Sequence, residues 1–250
     1  MNLKKTIEGE YANLADAEIH TIKKEKSYVS EICEAFEYVL HVETPRFKMI
    51  EKINNVTFDQ LHLKTSMQYS SEDITAFSTC LDQFSNKYPF LDKEHFEVRS
   101  GIFLTRLILL HHAISPKETE YVLITKGYGE KCAFVGLQSH TVDIRIIGDI
   151  GRYAFAEAYS GKMTVEGSVG KSCGKKMIDG ELIIKENAGP YAGEEMSGGT
   201  ISIQKNAGAY LGMKMSGGNI SVEETIAGLP DTLFLHGGEI YNKGRRVFPK

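Results

Sequence analysis

Residues 191–203 read YAGEEMSGGTISI, and residues 210–222 read YLGMKMSGGNISV. The second stretch echoes the first nineteen residues later, and the same register extends in both directions. Units begin at Ile144, Met163, Leu182, Ile201 and Ile220. Two places on, each carries a β-branched residue: Ile146, Val165, Ile184, Ile203 and Val222. Seven places on stand Gly151, Gly170, Gly189 and Gly208, then Ala227 with Gly228 one step late. Fourteen places on come Ala158, Met177, Met196, Met215 and Phe234, and seventeen places on Gly161, Gly180, Gly199, Gly218 and Gly237. Columns that hold across five units at a fixed period near twenty are the mark of a solenoid.

The chemistry of the columns selects the kind of solenoid. I-x-I and L-x-I segments have the two-residue alternation of strands with one buried face. They are too short for helices, and glycine interrupts every unit at two corners, where a side chain would clash. Each unit is therefore one coil of a β-helix, with equivalent residues stacked about 4.8 Å apart. A period of nineteen without a six-residue sub-period sets it apart from left-handed hexapeptide helices and favours the right hand.

The units G189-PYA-G193-EEMSGG and G208-AYL-G212-MKMSGG, each followed by ISI or ISV, resemble the GXGXG family over roughly residues 140–240. That family includes a component of formylmethanofuran dehydrogenase and the C-terminal domain of the large glutamate synthase polypeptide. The resemblance implies a right-handed β-helix that supports catalytic partners and carries no catalytic residue of its own.

The first half of the chain follows other rules. Of 24 glycines, only Gly9 and Gly101 precede residue 120. Val29, Ile32, Cys33, Phe36, Val39 and Leu40 form one apolar stripe and predict a helix from Ser27 to Val42, ended by the turn before Pro45. Ile74, Phe77, Leu81 and Phe84 predict a second helix from about Glu72 to Lys87. Ser70 or Ser71 caps it, and Tyr88-Pro89 stops it. A more polar helix is expected around Tyr11–Lys24 and a strand over Val56–Lys64. Gly101–His112 suits a buried helix or a buried strand, with its length favouring the helix. Ser115-Pro116-Lys117-Glu118 suits a joint. The expected architecture is an α+β domain over 1–118, then an all-β right-handed single-stranded β-helix of about five 19-residue coils over 119–250. The N-terminal domain would cover one open end. The tail Ile240–Lys250, with Val247 and Phe248, would fold over the other as a C-terminal cap.

Composition bounds the function. With 42% hydrophobic and 25% charged residues the chain reads as a globular protein. A formal charge of −4 gives no general attraction to nucleic acid or acidic lipid, so neither is expected as a partner. Lys243, Arg245, Arg246 and Lys250 read as a solvated terminus. No apolar run reaches the ~18 residues of a membrane span, and no apolar run follows Lys4 and Lys5 as in a signal peptide. Cys33, Cys80, Cys132 and Cys173 form no CxxC and read as free thiols in a cytoplasmic protein.

Four constellations suggest chemistry and are better explained otherwise. GSVGKSCGKK (167–176) lacks the first glycine of a phosphate loop, since that position is Val165. Gly127-Tyr128-Gly129 would need its third glycine at Cys132 and reads as a turn. Adjacent His111 and His112 point different ways and so do not chelate one ion. Cys132, His140, Cys173 and His236 lack the close ligand pairs of zinc sites. Glu194-Glu195 and Glu223-Glu224 read as solvated corners. No catalytic, cofactor-binding or metal-binding residue is assigned, and no cofactor is expected. The expected function is a non-catalytic scaffold or protein-interaction protein that self-associates or holds a protein partner. The alternatives are a subunit of a larger redox enzyme, and a small-molecule-binding protein or enzyme with its site between the two domains.

Overall fold

A computed structural model describes residues 28–41, 69–88, 93–125, 128, 132–136 and 142–249. The expected helix at 11–24 and strand at 56–64 lie outside these residues, and so does Pro45. Among the described residues three helices, α1 (Val29–His41), α2 (Ser71–Lys87) and α3 (Lys93–Ile114), precede a parallel β-solenoid. The stripe read from α1 is its buried face, with Val39 partly covered. In α2, Ile74, Phe77, Leu81 and Phe84 are all buried. Ser70 is its N-cap in a capping box with Asp73. The buried Asp73 carboxylate also accepts the Tyr28 N–H at 3.3 Å, which ties the start of α1 to the start of α2. The ambiguous 101–112 stretch is helix. Ile102, Phe103, Leu104, Leu107 and Ile108 are buried all round it, and this is why its periodicity is weak. Phe36 gathers Phe77, Phe84, Phe96 and Phe103 at 5.1–6.1 Å. Buried Arg99 donates to the carbonyls of Val39 (2.7 Å) and Leu40, satisfying the end of α1.

The main solenoid sheet has eight strands. In sheet order they are β1 (Glu120–Ile124), β2 (Asp143–Ile147), β3 (Lys162–Val165), β4 (Glu181–Ile184), β5 (Thr200–Ile203), β7 (Ser216–Val222), β9 (Gly237–Asn242) and β10 (Arg245–Phe248). A second wall carries β6 (Ala207–Ala209) and β8 (Ile226–Gly228), paired in parallel. The registers match the sequence columns. Ile144, Met163, Leu182, Ile201 and Ile220 pair rung on rung, as do Ile146, Val165, Ile184, Ile203 and Val222, and all ten are buried. Met177, Met196 and Met215 line the interior as a third buried column.

Two features depart from the expectation. The solenoid has one more rung at its start: Tyr121 pairs with Ile144 and Leu123 with Ile146. The step from Tyr121 to Ile144 is 23 residues, so that coil falls outside the nineteen-residue register. At the other end the last coil holds one extra residue after Gly228, since Ile220 pairs with Ile240. Leu235 therefore fills the interior place expected for Phe234, which is 44% exposed. Gly238, not Gly237, takes the left-handed corner of Gly218.

The first edge of the main sheet is covered, and the last carries the returning tail. At the first rung, helix hydroxyls stand in for a missing strand. Thr75 Oγ1 donates to Val122 O (2.7 Å), and Ile124 N donates to Ser78 Oγ (2.9 Å). Ala133 N donates to Glu97 O (3.0 Å), and Gly136 N donates to Thr105 Oγ1 (2.9 Å). Backbone groups with no preceding coil among the described residues are thus satisfied by α2 and α3. At the far end the tail turns back as β10, antiparallel to β9, with Val247 and Phe248 packed on the core.

On four successive coils the corner is left-handed at alternate residues. Tyr191, Gly193 and Glu195, and their equivalents at 153–157, 172–176 and 210–214, have φ between 52° and 69°. Such residues cost roughly 1–2 kcal/mol each when they are not glycine. The arrangement persists because successive left-handed residues donate to opposite neighbouring coils. Tyr191 N bonds Ala209 O (2.9 Å), Gly193 N bonds Cys173 O (2.9 Å), and Glu195 N bonds Met213 O (2.8 Å). Gly199 closes the next corner at φ +80°, where a Cβ would lie 2.6 Å from Met177 Cε and 2.8 Å from Gly180 O. Strain and overpacking together give Gly199→Ala an expected cost of about 2–4 kcal/mol, read from chemical denaturation midpoints. An unchanged midpoint would contradict this packing.

Candidate interaction surface

The chemistry-bearing side chains of the described residues are largely spent on the fold. His111 is buried, with Nδ1 3.0 Å from the Tyr121 hydroxyl and Nε2 3.6 Å from Glu118 Oε2. His112 turns elsewhere, with Nδ1 2.9 Å from Glu118 O. The pair diverges and bridges the α3–β1 connection. Among the described residues no group of three His, Cys, Asp or Glu could hold a metal ion. Tyr69 and Tyr121 have their hydroxyl pKa raised by burial. Tyr128 is likewise buried, its hydroxyl donating to Ile124 O at 3.0 Å and also to Ser78 O.

All four cysteines are buried as thiols, none in a disulfide. Burial pushes the Cys173 thiol up to about 12 and Cys132 also upward. The Cys33 thiol is raised by its hydrogen bond with Cys80 and by burial. A thiol held protonated in this way is a poor nucleophile. Gly127 and Gly129 of the GYG phrase and His140 lie outside the described residues, and His236 is exposed on the last coil. Residues 167–176 form an ordinary corner. Gly170 N bonds Ile150 O at 3.0 Å, and the buried Ser172 hydroxyl donates to Glu194 Oε2 at 3.2 Å, one coil on.

What reaches solvent is a set of rows. On the outer face of the sheet, Glu166 bridges two coils, with Oε1 3.1 Å from Arg145 Nε and Oε2 2.7 Å from Lys185 Nζ. The Lys185 bond first, then Arg145, holds the Glu166 carboxyl below its usual range. Lys162–Glu181 (2.8 Å) and Lys205–Glu186 continue the pattern. Along the corner, Lys175 pairs with Glu194 (3.1 Å), and Lys176 approaches Glu195 (4.0 Å). Phe134 stacks on Tyr153 at 4.7 Å and Tyr191 on Tyr210 at 4.8 Å, with Lys171 Nζ 4.8 Å over the Tyr191 ring. Beside the strands runs a polar ladder. Ser168 N donates to Asp149 Oδ1 (2.7 Å), and Asn206 Nδ2 donates to Asn187 Oδ1 (2.9 Å).

Exposed ion pairs contribute at most about 1 kcal/mol each. These rows therefore do less for stability than for the character of the surface, on which charged, aromatic and amide side chains pair between neighbouring coils. Sequence reading finds the interior columns and misses these outer ones. Their residue types vary from coil to coil, and only the spacing 149, 168, 187, 206 and 153, 172, 191, 210 marks them. No helix among the described residues is long and apolar enough to cross a membrane. No protein-family model, curated protein or solved structure matches the chain.

Proposed function

We propose that the protein is a non-catalytic scaffold of the GXGXG kind, whose solenoid flank holds a protein partner. One observation carries the reading: on the solenoid surface, ion pairs and ring stacks link neighbouring coils, while His111, Tyr121, Cys132 and Cys173 are locked in the interior. Rows at a fixed rise suit an elongated contact made by many modest interactions. They do not converge on a reacting atom. Cysteines kept as thiols suit a reducing, cytoplasmic setting.

The test is affinity capture with the full tagged chain from its source cells, followed by native mass spectrometry. The comparison is the flank variant Lys162→Glu/Lys185→Glu, two side chains each 43% exposed. A protein partner at stoichiometric ratio, reduced at least about tenfold by the variant, is the expected result; that loss corresponds to about 1.4 kcal/mol. Recovery of the chain with a tightly bound small molecule and no protein partner would refute the scaffold reading.

A further inference from the structure

The last coil breaks the surface pattern of those before it. The corner that carries Glu157, Lys176, Glu195 and Lys214 on successive coils is replaced by a single 3-10 turn, Thr232–Phe234. On that turn Leu233 is 78% exposed and Phe234 44% exposed. Leu229 just before it is 38% exposed, and Tyr210 on the coil below is 47% exposed. The Leu211 N–H reaches Gly228 O at 3.4 Å, so the lip lies directly over the Tyr210 corner. Single exposed apolar residues are ordinary, but four large ones gathered at one end of a solenoid suit a contact.

The backbone at the same end is also open. The main sheet ends on β10, an edge strand that shows Arg245 and Arg246 to solvent and runs into Pro249, all features that discourage strand addition. The second wall ends on β8, the outer strand of the β6–β8 pair, immediately before Leu229. There the comparable features only flank the strand: Glu223 and Glu224 precede it and Pro230 follows it, while Ile226–Gly228 itself carries no charge. An uncharged edge strand is a template for another strand, and two identical edges placed antiparallel generate a twofold axis. Such an axis also lays the apolar lip of one molecule on the lip of the other.

We propose that a second copy of this chain docks on the terminal coil, edge β8 to edge β8, with Leu229, Leu233 and Phe234 forming the apolar centre. This rests on the reading of the protein as an interaction scaffold and names one of its partners. The area argues for a modest dimer. Four partly exposed side chains offer a few hundred Å², against the ~800 Å² that each partner brings to a standard interface, and the strand edge with its polar rim supplies the remainder. The dissociation constant expected is micromolar.

Sedimentation equilibrium of the full chain from roughly 1 to 100 µM tests the proposal across the expected dissociation constant. The wild type should pass from monomer to dimer. Leu233→Lys should weaken the dimer at least about tenfold, and Leu229→Ser/Leu233→Lys should be monomeric throughout. Leu229 and Leu233 both reach solvent, so the fold accommodates polar side chains there; an unchanged circular dichroism spectrum verifies this. Ile178→Lys removes an exposed apolar side chain on the β3–β4 coil, well away from the lip, and should leave the dimer intact. A wild type that stays monomeric at the highest concentration overturns the proposal, and so does a dimer that survives in the folded double variant. In either case a partner captured through the flank would leave the scaffold reading standing. Loss of flank capture with the dimer retained would separate the two the other way.

Discussion

Replacing Gly101 by alanine should destabilise the protein by about 3 kcal/mol or more, although the same change in an exposed helix stabilises by about 1 kcal/mol. The reversal comes from where α3 lies. One turn before Gly101, Glu97 O accepts the Ala133 N–H, and one turn after it Thr105 Oγ1 accepts the Gly136 N–H. The helix backbone is thereby drawn onto the backbone of the first coil. A methyl group at Gly101 collides with the Ala133 carbonyl oxygen and comes within 3.1 Å of Val135 N. Both are backbone atoms, so no rotamer relieves the contact. The helix must retreat, and the hydrogen bonds that cap the first coil stretch or break, each worth about 1 kcal/mol. A fall of about 10 °C in melting temperature is expected for a chain of this size. An alanine variant as stable as the parent would show that α3 does not seat here.

How much of this is legible in the sequence depends on what each residue does. The interior columns are readable because a stacked strand admits few alternatives: Ile201 must sit over Leu182, and both must be apolar. The stripes on α1 and α2 are readable for the same reason, and α2 also shows its Ser70 cap. The caps on the solenoid leave no such trace. Thr75, Ser78 and Thr105 are ordinary helix residues until a β-strand edge is placed beside them. The first rung escapes because its coil is longer than the rest. The left-handed corners escape because Tyr191 and Glu195 occupy a conformation that glycine would announce. The cross-coil hydrogen bonds that hold them there are visible only once the coils are stacked. Reading the last coil at strict spacing puts Phe234 inside, since one extra residue in a corner does not disturb a column until its far side.

The nineteen-residue register underlies the whole stack, and it can be cut. Deleting residues 182–200 joins Glu181 to Ile201, the residues that begin β4 and follow the start of β5. Glu181 already pairs with Thr200, so the excision removes one coil and lets β5 take the place of β4 over β3. Deleting only 182–199 puts Thr200 in the inward place of Leu182 and turns Ile201 and Ile203 toward solvent, since a one-residue slip inverts every side chain of a strand. Thermal unfolding of the two deletions, followed by far-ultraviolet circular dichroism, is the most direct measurement. The nineteen-residue excision should fold and melt cooperatively, while the eighteen-residue excision should aggregate or melt at least about 10 °C lower. Equal behaviour of the two deletions, whether both folded or both unfolded, would contradict a stack of coils in this register.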